Sequence, residues 1–248
     1  MNKEYKACFV TPYFGKFPNY FSYFLSSAIY NSKFDFLFVT DIDYRFPEVR
    51  NIKVVNMSFQ ELQKKIQSIF DFKININVPY KLCDYKPAYG VIFKDYLSEY
   101  DYWGHCDIDT ILGDLNHYIS FEELQEYDRI FTEGHMTLYK NNEKVNNYFR
   151  TLSAKDCQNY KDVYTTDDVR CFDEWGAHKG NGLSWILEKN GIKQYKESMC
   201  FDVNSTKYKF LNARNKEMYN GYFEYTHGKV IFWKYENKQY IPEEVSYV

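Results

Sequence analysis

The sequence lacks any Cys-x-x-Cys pair, although six cysteines (Cys8, Cys83, Cys106, Cys157, Cys171 and Cys200) are scattered along its 248 residues. That spacing argues against a zinc knuckle or a dithiol redox centre, and in a chain of this length it predicts buried free thiols rather than a disulfide frame. No run approaches the roughly 20 apolar residues of a membrane span, so no transmembrane segment is expected. Charge of one sign is missing too: 31 Lys and Arg stand against 34 Asp and Glu, and no dense basic run is present. Nucleic acid is therefore not an expected partner. Proline and glycine are sparse, and no Pro/Gly/Ser-rich stretch divides the chain, which predicts a single domain over 1–248. The residues from Met1 to Val10 run directly into a strand pattern without the longer apolar core of a signal peptide, so a cytoplasmic location is expected.

Aromatic residues are abundant instead, with 26 Tyr and 21 Phe against 4 Trp. Such rings can fill a core or line a sugar-binding groove, and composition alone does not choose. Hydrophobic periodicity organises the first half clearly. Ala7 to Thr11 is a short apolar run stopped by Pro12 and Gly15, residues 19–31 carry apolar side chains at helical spacing, and Phe34 to Thr40 returns to strand. A further strand is predicted over 51–56, a capped helix over 58–70, a helix over 86–100 with Pro87 in its first turn, and a strand over 102–106. Alternation of this kind predicts an α/β fold with a mainly parallel sheet flanked by helices, whose ligands gather at the carboxyl ends of strands. The second half is less regular: strands near 128–132 and 136–139, helices over 142–150 and 182–190, and a last strand-like run over 226–235.

The chemistry concentrates where the strand over 102–106 ends in Asp107-Ile108-Asp109. Extended backbone puts residues i and i+2 on one side, so both carboxylates can face one point. Carboxylates held that close repel unless a cation lies between them or one keeps its proton. A hard divalent ion such as Mg²⁺ or Mn²⁺ resolves the conflict and keeps open positions for phosphate oxygens. Other residues sit where strands should deliver them to the same edge. Thr11, Pro12 and Tyr13 end the first strand and Asp41 ends the second; Tyr13 could stack on a base and Asp41 accept a hydrogen bond from base or ribose. Lys86, at the start of its expected helix, calls for an anionic partner, because a cation is disfavoured at a helix N-terminus. The segment from Phe172 to Gly182 concentrates Asp173, Glu174, Trp175 and His178 among glycines. It reads as an acceptor- or sugar-binding loop, in which Asp173 or Glu174 would act as general base or hold sugar hydroxyls. His105 alternates onto the face of Asp107, but packing is the expected role.

The order of these pieces resembles the GT-A fold of nucleotide-sugar glycosyltransferases, and most of all the bacterial enzymes that build capsule and lipopolysaccharide. Asp107-Ile108-Asp109 is similar to the DxD motif of those enzymes, the segment Asp84 to Gly90 resembles the place of a basic donor contact, and His227-Gly228-Lys229 resembles a shortened C-terminal His/Gly/Lys motif. The resemblance implies a Rossmann-type donor half over 1–115 and a more variable acceptor half over 116–248. It implies Mn²⁺ or Mg²⁺ held by Asp107, Asp109 and His227, and a nucleotide sugar, UDP-linked by preference, contacted by Thr11, Pro12, Tyr13, Asp41, Lys86, Asp107, Ile108 and Lys229. It also implies a saccharide or lipid-linked saccharide acceptor near Gly134, His135 and Trp175, with peripheral contact at the inner face of the cell membrane. In the family pattern the Lys lies two or more residues after the Gly, whereas Lys229 follows Gly228 directly.

Two other readings compete. The run from Asp107 to Leu112 echoes the DxDxT signature of haloacid dehalogenase-type phosphatases, with Asp167 and Asp168 as a distant acidic pair and Asp107 as nucleophile. That signature normally lies on the first strand of the chain, whereas three strand-like segments precede it here. The aromatic content by itself would suit a non-catalytic carbohydrate-binding protein.

Overall fold

The computed structural model describes residues 5–176, 180–197, 200–204 and 206–248. Its frame is a seven-stranded sheet built from β1 (Ala7–Pro12), β2 (Phe34–Thr40), β3 (Ile52–Asn56), β4 (Tyr102–Cys106), β5 (Arg129–Glu133), β6 (Met136–Lys140) and β7 (Gln194–Tyr195). The spatial order is β3-β2-β1-β4-β6-β5-β7, and only β6 runs against the others. The chain winds outward from β1 to β3 on one side and then returns to place β4 on the other side of β1. The crevice between the ends of β1 and β4 is therefore the topological switch point, where open α/β sheets bind ligands.

The near-continuous apolar runs of β1, β2 and β4 follow from burial on both faces. Alternate residues separate into two cores: Cys8, Val10, Leu37, Val39 and Trp103 face one side, and Ala7, Phe9, Phe34, Phe36, Phe38 and Tyr102 the other. Helix α1 (Phe21–Tyr30) buries Phe21, Phe24, Leu25 and Ala28 against the second face. On the first face lie α2 (Phe59–Gln67), started by a Ser58–Glu61 capping box, and helix Leu183–Lys189.

The expected helix over 86–100 is not continuous. A 3-10 helix spans Pro79–Ala88, followed by the short α3 (Tyr89–Ile92) and α4 (Lys94–Leu97), which part at Phe93. Pro87 has no N–H to donate and disfavours the α conformation at Lys86, so an α-helix does not pass through this point. Lys86 thus sits in the last turn of the 3-10 helix, not at a helix start. The helix expected over 142–150 is likewise two short pieces, Glu143–Asn146 and Tyr148–Thr151, parted at Asn147.

The rest of the chain forms two antiparallel three-stranded sheets. One holds β8 (Phe201–Asn204), β9 (Lys209–Asn212) and β10 (Met218–Tyr219); the other holds β11 (Gly221–Thr226), β12 (Lys229–Glu236) and β13 (Gln239–Val245). Phe201, Val230, Phe232 and Val245 form their common core. The run expected as one last strand over 226–235 is in fact the meeting of β11 and β12 at a two-residue turn, His227-Gly228. After β13, Ser246 and Val248 pair with Gly113 and Ile111, which places the last residues beside the segment that leaves Asp109.

Candidate active site

Two adjoining cavities open at the switch point. The larger, about 490 Å³, is lined by the end of β1 (Val10 to Phe14), the 3-10 helix (Tyr80, Cys83 and Lys86 among others), the end of β4 (His105 to Asp109), and Asp173 and Glu174. The smaller, about 260 Å³, lies between Asp107, Asp109, Thr110, His135 and Glu174 on one side and Phe201 to Val203, Tyr247 and Val248 on the other. Asp107, Asp109 and Glu174 line both cavities and so form the seam between them.

Local hydrogen bonds fix the acids. The Asp107 N–H donates to the His135 carbonyl at 2.8 Å, and the Thr110 hydroxyl donates to the Asp107 carbonyl at 2.8 Å. Downstream, Asn31 at the end of α1 donates to the Gly113 carbonyl and accepts from the Leu115 N–H, tying down the chain that leaves the acids. The cation beside Asp107 is Lys86. Its Nζ lies 2.8 Å from Asp107 Oδ1 and 3.5 Å from Asp173 Oδ2, and it donates to the Gly134 carbonyl at 2.7 Å. Burial pulls the Lys86 ammonium down, but Asp173 and Asp107 outweigh it and hold it well above its ordinary range. Burial pushes the Asp173 carboxyl up to about 7 against the pull of Lys86. Burial likewise raises Glu174 and Asp107, again opposed by Lys86. Asp109 is exposed and makes no hydrogen bond or ion pair among the described residues.

The loop bearing Asp173 is held from two sides. Asp84, fully buried, accepts from the N–H groups of Arg170 and Phe172 and pairs with the buried Lys81 at 2.8 Å. Lys81 in turn donates to the Val163 and Asp168 carbonyls. From the sheet, buried Arg129 donates to the Asp173 carbonyl at 2.9 Å and to Ser184 and Gln194. Opposite, the β5–β6 hairpin turns at Gly134-His135 after a bulge in which buried Phe131 adopts φ +62°, a conformation costly for a bulky residue. The turn delivers the Gly134 carbonyl to Lys86 and His135 to the smaller cavity. Glu174 packs on the Gly134 α-carbon so closely that an added Cβ would meet its Cγ at 2.5 Å.

Most of the residues expected at the site are there. Thr11, Pro12, Tyr13, Lys86, Asp107, Ile108, Asp109, Asp173 and Glu174 line the larger cavity, and His135 the smaller. Gly134 lines neither cavity but its carbonyl accepts from Lys86, and four others are not brought to the site. Asp41 is exposed beyond β2 and lines neither cavity. Trp175 packs edge-on against Trp185 under the Lys196 ammonium. Lys229 pairs with Glu244 across β12 and β13. His227, expected as the nitrogen ligand, occupies the β11–β12 turn with φ +47°, and its neighbour Gly228 lies against Tyr30 at the far end of α1. That is the end of the sheet opposite the acids. The C-terminal wall of the site is supplied by Tyr247 and Val248. Asp167 and Asp168, the acidic pair a phosphatase would need, line neither cavity; Asp167 accepts from Asn77. His178 lies outside the described residues.

Several site residues escape a reading of the sequence. Tyr80 stands 75% exposed at the rim, and His105, expected to pack, lines the larger cavity with both ring nitrogens lacking a hydrogen-bond partner. Burial, then Lys86, keeps the His105 imidazole well below its ordinary pKa. Pro79 at the start and Pro87 near the end of the 3-10 helix were the available signal for it and its Tyr80.

Residues 9–248 match DUF6625, described as a family of unknown function. The chain belongs to that family. No curated protein matches it. The DUF6625 match spans every element around both cavities, from β1 to Val248.

Proposed function

We propose that this DUF6625 chain is a GT-A-type, metal-dependent glycosyltransferase. It would move a hexose from a nucleotide sugar, UDP-linked by preference, to a saccharide or lipid-linked saccharide in bacterial surface polysaccharide synthesis. One observation carries the reading: the Asp107–Asp109 pair stands at the switch point of a mostly parallel sheet, on the seam between a tyrosine-rimmed cavity and a smaller acidic one. A two-substrate transferase needs that arrangement, with donor and acceptor meeting across one carboxylate-lined seam.

Tyr13, already stacked on Phe17 at 5.2 Å, and Tyr80 offer ring faces for a nucleobase at the rim. Lys86 is flanked by two carboxylates and leaves little net positive charge, while Asp109 and Glu174 add negative charge. A diphosphate would be repelled from this seam without a further cation. Asp109, exposed and unpaired, fits a divalent ion, with Asp107 beside it. Among the described residues no three acidic, His or Cys side chains converge as a ready-made metal shell, so phosphate oxygens and water would have to fill the ion's remaining positions. When bound, Mn²⁺ or Mg²⁺ would supply Lewis-acid stabilisation of the leaving diphosphate. Glu174 faces both cavities, and its raised pKa suits it to take the proton of an acceptor hydroxyl.

The test is Mn²⁺-dependent binding and hydrolysis of UDP-hexoses. Wild type should release UDP, and Asp109→Asn should nearly abolish release while its melting temperature stays unchanged. Undiminished release in excess EDTA, or full activity in Asp109→Asn, would overturn the reading.

A further inference from the structure

We infer that the inner end of the larger cavity is a subsite for a neutral, hydroxyl-rich sugar ring, gripped by His105 and Asp173. The inference rests on the glycosyltransferase reading and names the part of the donor that this end receives.

Three observations converge there. His105 is 1% exposed, lines the cavity, and has neither ring nitrogen hydrogen-bonded. Asp173 is 2% exposed, lines the same cavity, and its Oδ2 accepts no hydrogen bond, with the Lys86 ammonium 3.5 Å away. Two neighbouring polar groups on the cavity wall are already engaged: Tyr89 donates to the Leu82 carbonyl, and Lys86 is divided between Asp107 and the Gly134 carbonyl; the Tyr139 hydroxyl, whose ring lies 6.5 Å from that of His105, lacks a partner but does not line the cavity. Buried polar atoms in folded proteins nearly always have partners, so two side chains that line one cavity and carry unpaired polar atoms mark where a ligand supplies them.

The chemistry of that pair selects the ligand. A neutral imidazole presents one N–H donor and one acceptor nitrogen, and a carboxyl oxygen adds an acceptor. A sugar hydroxyl both donates and accepts, so adjacent hydroxyls satisfy all three. A phosphate offers only acceptors, so it leaves the acceptor nitrogen of the imidazole unserved, and it would face the Asp107 carboxylate as well. The diphosphate therefore belongs toward Asp109 and the base toward the Tyr13 and Tyr80 rim, which leaves the inner end for the hexose. An acidic sugar would place a second carboxylate beside Asp107 and Asp173, with Lys86 already committed to both.

Calorimetric titration of UDP, UDP-glucose, UDP-galactose and UDP-glucuronate in Mn²⁺ tests this on wild type, His105→Leu and His105→Gln. The quantity read is the ratio of the UDP-hexose Kd to the UDP Kd. For the better-bound neutral hexose, His105→Leu should raise that ratio at least tenfold while the UDP Kd stays within about twofold, and His105→Gln, which keeps a donor and an acceptor, should recover part of the loss. If His105→Leu fails to fold, Asp173→Asn is read for the same rise. An unchanged ratio in a folded variant, equal weakening of UDP and UDP-hexose, or tighter binding of UDP-glucuronate than of either hexose would overturn the subsite and leave the transferase reading standing. Failure of wild type to bind UDP or any of these sugars would overturn both.

Discussion

Of the two Asp-x-Asp carboxylates Lys86 pairs with Asp107 alone, and it shares its charge with a second acid 66 residues beyond Asp107 in sequence, Asp173. The consequence for Asp173 is a proton held to about pH 7 in the fold, against an ordinary carboxylate value of 3.8. Between those values the folded protein binds a proton that the unfolded chain has released, so Asp173 makes stability fall as pH rises from about 4 to 7. Urea unfolding across that window should show the fall in wild type and a flatter profile in Asp173→Asn. An identical pH dependence in the two proteins would contradict the raised value. Gly134 controls the neighbouring acid. Gly134→Ala drives a Cβ into Glu174, so it should lower turnover about 10²-fold through misplacement, with a small change in melting temperature. Wild-type turnover in a folded Gly134→Ala protein would remove Glu174 from the reaction.

At the scale of elements, the 3-10 helix and the loop over 170–174 are one unit, joined by the buried Lys81–Asp84 pair and the two backbone N–H groups that Asp84 accepts. Removing one member leaves the other charge buried and unpaired. Asp84→Ala should therefore cost about 3–5 kcal/mol in chemical denaturation. A loss below about 1 kcal/mol, the scale of an exposed ion pair, would show that the pair does not hold the loop. The first-half elements were legible because each carries its own signal: short, near-continuous apolar runs for β1 and β2, and Ser58 with Glu61 for the start of α2. The 3-10 helix was not, because apolar residues from Lys86 onward keep a helical spacing and a proline at position 87 is equally compatible with the first turn of an α-helix. His227-Gly228 did carry a legible signal. A residue followed by Gly between two alternating strands is a hairpin turn with both φ values positive, and the structure gives +47° and +81°.

For the whole molecule, the three-stranded sheets serve as a wall whose contribution comes from its far edge. Tyr247 is fully buried against Phe131 and His135, and it bridges Leu112 and Cys200. His227→Asn keeps the turn chemistry and should leave both Mn²⁺-dependent nucleotide binding and turnover within about twofold of wild type, whereas Tyr247→Ala should destabilise the fold by about 3–5 kcal/mol. A His227→Asn protein that loses its metal dependence would return the histidine to the site by a rearrangement absent from this structure.

The sequence by itself determined the α/β alternation, the apolar strands buried on both faces, and the placement of Asp107 and Asp109 at the end of β4, because these depend on local periodicity and on the direction of a single strand. Only the tertiary structure decided that Lys86, in the last turn of a 3-10 helix and not at a helix start, pairs with Asp107 and Asp173, that Asp41, Trp175, His227 and Lys229 stand away from the cavities, and that His105 and Tyr247 line them. Those outcomes depend on β6 inserting between β4 and β5, on a bulge that turns Gly134-His135 toward Lys86, and on the pairing of residues 246–248 with 111–113. Each is a contact between segments distant in sequence, set by packing and backbone hydrogen bonding, for which no local pattern of residues carries a code.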